Sequence, residues 1–471
     1  MIKIRRRLRL EETSEAGLTL VEVVVAMFVF AIIALGVAFS LVSTLHSAKD
    51  AKGRQVALNL AAQDIDAVRS VPDIFQLATG VTTSTTTVPG DATVYTVTRE
   101  VQWVTSNGTD ATCGSGGGAL QYKEVNVGVT WPGTNAAFPV RSDTIVSPAS
   151  TVNDPSLGTI LVSVKNAAGS GVAGVTITTS PSTGTTIPTT DADGCAYLLK
   201  VPPANYTVTA SLSGYIDVNQ VATPSNTTPL PVTAGSTLSA SFAYDKQGSI
   251  TASYATNNSP LLPTLPTNLV TTFTSTIGGS DLFTAVTSAS TKVFSLYPAS
   301  SYTVLAGGFV PGTTASSGCL SVDPSQWPSG TNSGGQAIAS PAPTTLAFQP
   351  GATGVAVAVP MGVVQVDTGG SRAVYLKATA ATPPAGSGDP GCGTTAPLVS
   401  PAASFVFGPV NPVLNKILIA LPYGSWTIQM GSSLSSLSSV AASKLLIPTG
   451  VTGTAVSAAG VVTFDPRVVT P

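Results

Sequence analysis

From Val23 to Leu45 the chain carries no charged residue, 23 positions in a row. As a helix at about 1.5 Å per residue this run spans roughly 34 Å, enough to cross the ~30 Å hydrocarbon core of a bilayer. One carboxylate, Glu22, stands at the head of the run. An unpaired charge in hydrocarbon is costly, so an ionisable side chain there is a functional marker by default. Two simpler explanations fall short. A plain signal anchor accounts for the apolar run and for Lys3, Arg5, Arg6, Arg7 and Arg9 ahead of it. It does not account for Glu22, nor for Gly17 five residues earlier. A cleavable secretory signal has an apolar core of about 7–15 residues that ends at a small-residue cut site. Here the run is longer and the small residue precedes it.

Gly17-Leu18-Thr19-Leu20-Val21-Glu22 ahead of an apolar helix resembles the prepilin signature of type IV pilins and type II secretion pseudopilins. The resemblance implies that a membrane-bound prepilin peptidase cuts after Gly17 on the cytoplasmic side. Leu18 then becomes the first residue and is N-methylated, Glu22 is the fifth, and the apolar helix stays as the stem of a filament subunit. Leu18 departs from the Phe or Met commoner in the family, and the leader is long and includes Glu11, Glu12 and Glu15. The implied mechanism is electrostatic. Cleavage creates a positive amine on Leu18 that must enter an apolar bundle of stems. A buried charge is tolerable when paired, and the family assigns that pairing to the fifth-residue Glu, here Glu22. The implied partners are the peptidase, other pilin subunits, the assembly platform and the membrane.

Charge sets the compartment. Only 9% of the 471 residues are charged and the net charge is −2. That leaves no basic stripe for nucleic acid. The cluster Arg5-Arg6-Arg7, directly before an apolar span, reads as the cytoplasmic flank that fixes orientation. The precursor is therefore expected as a single-pass protein of the cytoplasmic membrane, its N-terminus inside and its body outside, ending in an extracellular filament or on the cell surface. Four cysteines, Cys113, Cys195, Cys319 and Cys392, suit that compartment. None forms a CxxC motif and the one histidine is His46, so no metal site and no cofactor is expected. Three pairings are open to four cysteines. Cys319 and Cys392 both lie in Gly/Ser/Pro-rich segments and are candidates for one bridge, leaving Cys113 and Cys195 for the other.

The order of segments predicts an α+β chain: a long N-terminal transmembrane helix with a small antiparallel sheet, then about three all-β sandwiches of Ig-like or transthyretin-like kind. Residues 1–17 are the leader and 18–70 a stem helix, with no proline until Pro72. Beyond the span, Leu58, Ala61, Ile65 and Val68 recur at helical spacing and predict the face that packs on a globular head. Gln55 to Arg69 resembles minor pilins more than a major one, and His46 reads as a helix-surface residue. Residues 71–150 predict a pilin-like sheet, with alternating strands at 93–99, 100–103 and 122–131 and a polar, Gly-rich loop at 106–118 that holds Cys113.

After a linker at 151–157 an internal repeat begins. Each unit opens on a glycine and an alternating strand, at Gly158, Gly248 and Gly362. Each later has a proline turn leading into an aromatic strand: Pro202 to Tyr206, Pro298 to Tyr302, and Pro422 to Trp426. Proline presets the turn, while Tyr or Trp brings an apolar body with a polar tip. The expected modules are 158–245, 246–350 and 351–471. The first, through Gly171-Val172-Ala173-Gly174, Thr190-Asp191-Ala192-Asp193-Gly194 and Gly214-Tyr215, resembles the carboxypeptidase regulatory-like or collagen-adhesin B-type sandwich. A Lys–Asn isopeptide of the kind some B-type sandwiches form is not expected at Lys165, because no Glu follows Glu124. Asp191 to Gly194 lacks the further oxygen ligands of a calcium loop and reads as a hairpin turn. Leu446-Ile447-Pro448-Thr449-Gly450 has the wrong order for a sortase signal.

Enzyme chemistry is not expected. The body lacks His, and its last three units lack Glu, so Ser–His and Cys–His nucleophiles, His-liganded metals and Glu pairs are all missing. The sequence points instead to a minor type IV pilin-like subunit that displays sandwiches for adhesion or assembly initiation. The alternatives are a secretion pseudopilin and a membrane-anchored surface protein, a hydrolase included, that enters no filament. The surface ligand is left open.

Overall fold

In a computed structural model the described residues are 19–469, apart from 90–92, 111–112, 114–117, 135–138, 149–151, 185–188, 276–278, 284–288, 300, 309–322, 332–335 and 392–403. The chain divides into two compact units, residues 1–104 with 121–150, and residues 105–120 with 151–471.

The first unit is one helix on one sheet. The helix runs unbroken from Leu20 to Arg69, 50 residues, and closes on Ser70, whose N–H donates to Asp66 O. The sheet orders the strands Gly80–Thr87, Val94–Thr105, Leu120–Thr130 and Val140–Val146, with antiparallel pairing at both outer pairs. Two of these strands, Gly80–Thr87 and Val140–Val146, are additions to the sequence reading. The stripe facing the sheet is Gly53, Ala57, Ala61, Ile65 and Val68, packed on Val97, Val125, Val127 and Val129. This corrects the expected face at one position. Leu58 is 52% exposed and Ala57 fully buried, because steps of four from Gly53 reach Ala57 and turn Leu58 about 100° away. Small residues let the helix lie close: a Cβ on Gly53 would stand 2.8 Å from the Trp131 indole.

The second unit contains three sandwich-like pairs of sheets. In the first, Tyr215–Asp217, Thr237–Lys246, Gly158–Lys165 and Cys195–Val201 form one sheet, and Leu230–Val232, Ala204–Ser211 and Thr176–Ser180 the other. In the second, Thr291–Leu296, Gly248–Tyr254 and Val355–Val359 face Gly279–Phe283, Thr271–Ser275, Tyr302–Ala306 and Thr344–Leu346. In the third, Lys416–Leu421, Gly362–Asp367 and Leu445–Leu446 face a sheet built around Val374–Ala380 and Gly424–Ser433. The closing strands of the first two, Thr237–Lys246 and Val355–Val359, run parallel to the opening strands. The second module therefore extends to Val359, past the expected boundary at 350/351, and the third opens at Gly362.

The repeat is structural to the residue. Each opening glycine pairs with the residue that ends the strand before the turn: Gly158 with Val201, Gly248 with Leu296, Gly362 with Leu421. The next residue offers its carbonyl to the buried aromatic. Tyr206 Oη donates to Pro202 O at 2.9 Å, Tyr302 Oη to Tyr297 O at 2.6 Å, and Trp426 Nε1 to Pro422 O at 2.9 Å. A side chain on the opening glycine would collide with Val232, Phe348 or Phe464 respectively, so each module closes over its own first residue.

The first sandwich has its own core, including Ile160, Val162, Tyr206 and Phe242. The second and third share one, continuous from Ile250 through Phe273 and Val364 to Phe464. The segment after Asn257 fuses them. Asn257 Nδ2 donates to Met361 O and its Oδ1 accepts from Met361 N, both at 3.0 Å. Asn268 does the same to Ser404 O and Val406 N, at 3.0 and 2.8 Å.

Candidate functional site

The site is the exposed half of the stem helix. Its start is set by Thr19, the N-cap, in extended backbone. The Thr19 hydroxyl accepts from Glu22 N at 3.4 Å and lies 3.4 Å from Glu22 Oε2. The spacing Thr-x-x-Glu is that of a capping box, in which the cap and the third helical residue satisfy each other. The Glu22 carboxylate also stands at the positive end of the helix dipole. The cap at Thr19 was not read from the sequence, although the Thr-x-x-Glu spacing was there. Gly17 and Leu18 lie outside the described residues.

From Leu20 to Lys52 every residue is exposed. The side chains are large and apolar on all sides: Leu20 is 81% exposed, Phe30 72% and Phe39 79%. A helix that is apolar all round requires cover on all sides, from lipid or from like helices. Glu22 is the one acid on this surface before Asp50. At Gly53 the pattern changes and the helix turns its small-residue stripe to its own sheet. Arg99 fastens that half, with Nε donating to Asp64 Oδ2 at 2.7 Å and Nη2 to Oδ1. This pairing holds the Arg99 pKa above its ordinary value. Arg69 Nη2 donates to Thr144 Oγ1 at 2.8 Å. His46 is exposed on the helix surface.

Cys113 and Cys195 form a disulfide, with Cα atoms 5.5 Å apart and 82 residues of separation; Cys319 and Cys392 lie outside the described residues. Asp191 to Gly194 is a tight turn in which Asp191 Oδ1 accepts from the N–H groups of Asp193 and Cys195, at 3.0 and 2.8 Å. Leu446 pairs with Gln365 inside the third sandwich, so the sortase-like string is part of the fold.

Residues 13–38 match the family model of the prokaryotic N-terminal methylation motif. The match spans Gly17, Leu18 and Glu22 and gives the chain the type IV pilin signature. No curated protein matches the chain. Among solved structures, the Bacillus anthracis TIE protein shares 12% identity, covering 76% of this chain and 72% of that one, with a TM-score of 0.19. A Streptococcal ancillary pilin shares 10% over 51% of this chain and 76% of its own, TM-score 0.17. The shaft pilin spaA from Lactobacillus rhamnosus GG shares 9% over 43% and 97%, TM-score 0.15. Overlaps this small add nothing to the functional reading.

Proposed function

We propose that this chain, a pilin-type surface subunit by its N-terminal signature, is a minor type IV pilin-like protein that enters a filament at its tip. The carrying observation is the stem: one helix, apolar all round for its first half, with a single carboxylate at its capped start and the methylation motif across it. Prepilin peptidase removes residues 1–17 and frees the amine of Leu18. Glu22 balances that amine, its own or a neighbour's, within the apolar bundle. The cytoplasmic-side leader and the single span set the path from membrane precursor to extracellular filament.

Tip placement follows from bulk. A repeating shaft would have to make room for three sandwiches per subunit, while a tip accommodates one set. At the tip the sandwiches serve adhesion or initiation of assembly. The chain works as a structural subunit and not as an enzyme, since its body offers no His and no Glu beyond Glu124. Filaments sheared from cells and separated from membranes test the reading. The chain is expected in the filament fraction at low copy, and a Gly17→Leu variant is expected to stay uncut in the membrane. A secretion pseudopilin would be missing from surface filaments, and a plain anchored protein would leave filaments intact when Gly17 or Glu22 is replaced.

A further inference from the structure

Outside the stem, the three most exposed large apolar side chains among the described residues are Leu262 at 90%, Leu414 at 89% and Val413 at 75%. They meet at one end of the third sandwich. Thr264 bridges in parallel to Ile419, with Thr264 N donating to Leu418 O at 2.8 Å, which brings Leu262 beside Ile417 and the turn before it. All three side chains border one groove of about 490 Å³.

The turn is closed by two backbone hydrogen bonds between Val413 and Lys416, at 2.9 and 3.0 Å. Its central residues, Leu414 and Asn415, both have positive φ, 53° and 61°. Such turns favour Asn, Asp and Gly. Asn415 fits, whereas Leu414 suits neither the backbone nor the solvent around it. Leucine at that place serves neither the turn nor the core.

Cations lie beside the turn that carries Val413 and Leu414. Lys416 is in the turn, Arg372 is exposed in the neighbouring turn, and the Lys444 ammonium lies against Gly369. The two turns are joined, with Thr368 N and Oγ1 both donating to Asn415 O at 2.8 Å. The nearby carboxylate is Asp367, opposite Lys416 and already accepting from Gly369 N at 2.8 Å. Among the described residues, these three cations against Asp367 make a positive spot on a chain whose net charge is −2.

We propose that this end of the third sandwich is a docking site for an anionic lipid surface. Leu262, Val413 and Leu414 enter the boundary between headgroups and acyl chains, and Arg372, Lys416 and Lys444 meet the phosphates. Apolar tips with cations beside them are the chemistry of peripheral membrane attachment. The leucines project at nine-tenths exposure, which suits insertion more than reception of a peptide. The site gives a target to the adhesive role above and rests on that reading only for its biological setting.

The test uses the full chain, held by its stem in nanodiscs of phosphatidylcholine and mixed with separate vesicles. Flotation is expected with vesicles containing phosphatidylserine, weakening as salt rises, and not with phosphatidylcholine alone. Replacing Leu262 and Leu414 together by Asn is expected to weaken binding about tenfold or more, since two apolar side chains are lost from the insertion. Leu414→Asn alone is expected to weaken binding while leaving the melting temperature equal or higher, because Asn accepts left-handed backbone. Neutralising Arg372, Lys416 and Lys444 with Gln is expected to abolish the preference for phosphatidylserine. Failure of the wild-type chain to float with anionic vesicles overturns the proposal, as does unchanged binding by the double-leucine variant. Recovery of that variant in sheared filaments reports separately on the stem reading.

Discussion

Glu22→Ala removes a cap partner and a charge together, whereas Glu22→Gln removes the charge alone. Glu22 completes the cap with Thr19, and it is the acid proposed to balance the Leu18 amine. Glutamine can serve in a capping box but brings no charge. Both Glu22→Ala and Glu22→Gln are therefore expected to permit cleavage after Gly17 and to remove the chain from sheared filaments. Circular dichroism of the Gln variant in detergent should show unchanged helix. Filaments that retain the Gln variant would assign Glu22 to the cap alone. Gly53 carries a second residue-scale prediction. Gly53→Val forces the Trp131 indole aside, and overpacking of this kind costs about 1–3 kcal/mol, to be read as a lower melting temperature of the full chain. The charge pattern at Glu22 was legible because it interrupts an otherwise apolar run. The role of Gly53 was not, since a glycine in a helix shows its purpose only when the Trp131 ring is known to lie opposite.

At the scale of elements, the three aromatic corners are the most repeatable feature of the body. Tyr206→Phe retains the ring and leaves the Pro202 carbonyl without its donor, a loss of about 1 kcal/mol. Denaturant unfolding should show the first sandwich weakened and the shared core of the second and third unchanged. The glycine and the Pro-aromatic turn of each module were readable, because both are local chemistry. The parallel closing strands were not. Val355–Val359 alternates like any strand, and nothing within it names Gly248–Tyr254 as its partner. Pairing is settled by long-range packing, so the module boundary drawn from the repeat fell short of Val359. The stem stripe shows the same limit, where a spacing that admitted Leu58 was resolved by the fit of Ala57 to the sheet.

At the scale of the molecule, a disulfide and a shared core govern stability. The bridge from Cys113 to Cys195 spans 82 residues of chain. In the chain-entropy picture its removal costs about 4.5 kcal/mol, so the Cys113→Ser, Cys195→Ser double variant should melt lower and yield earlier to protease than the wild-type chain. The pairing was open on sequence alone, since four cysteines on a loop-rich chain admit three arrangements. The second and third sandwiches, fused through Asn257, Asn268 and one continuous core, are expected to unfold in one transition. The body follows the stem along the chain, and its entry into a filament depends on how that stem begins. The most direct measurement is the intact mass and N-terminal sequence of the chain recovered from the filament fraction of cells. The predicted result is a chain that starts at Leu18 with an N-methyl group. A chain that still starts at Met1, or at any residue other than Leu18, contradicts it.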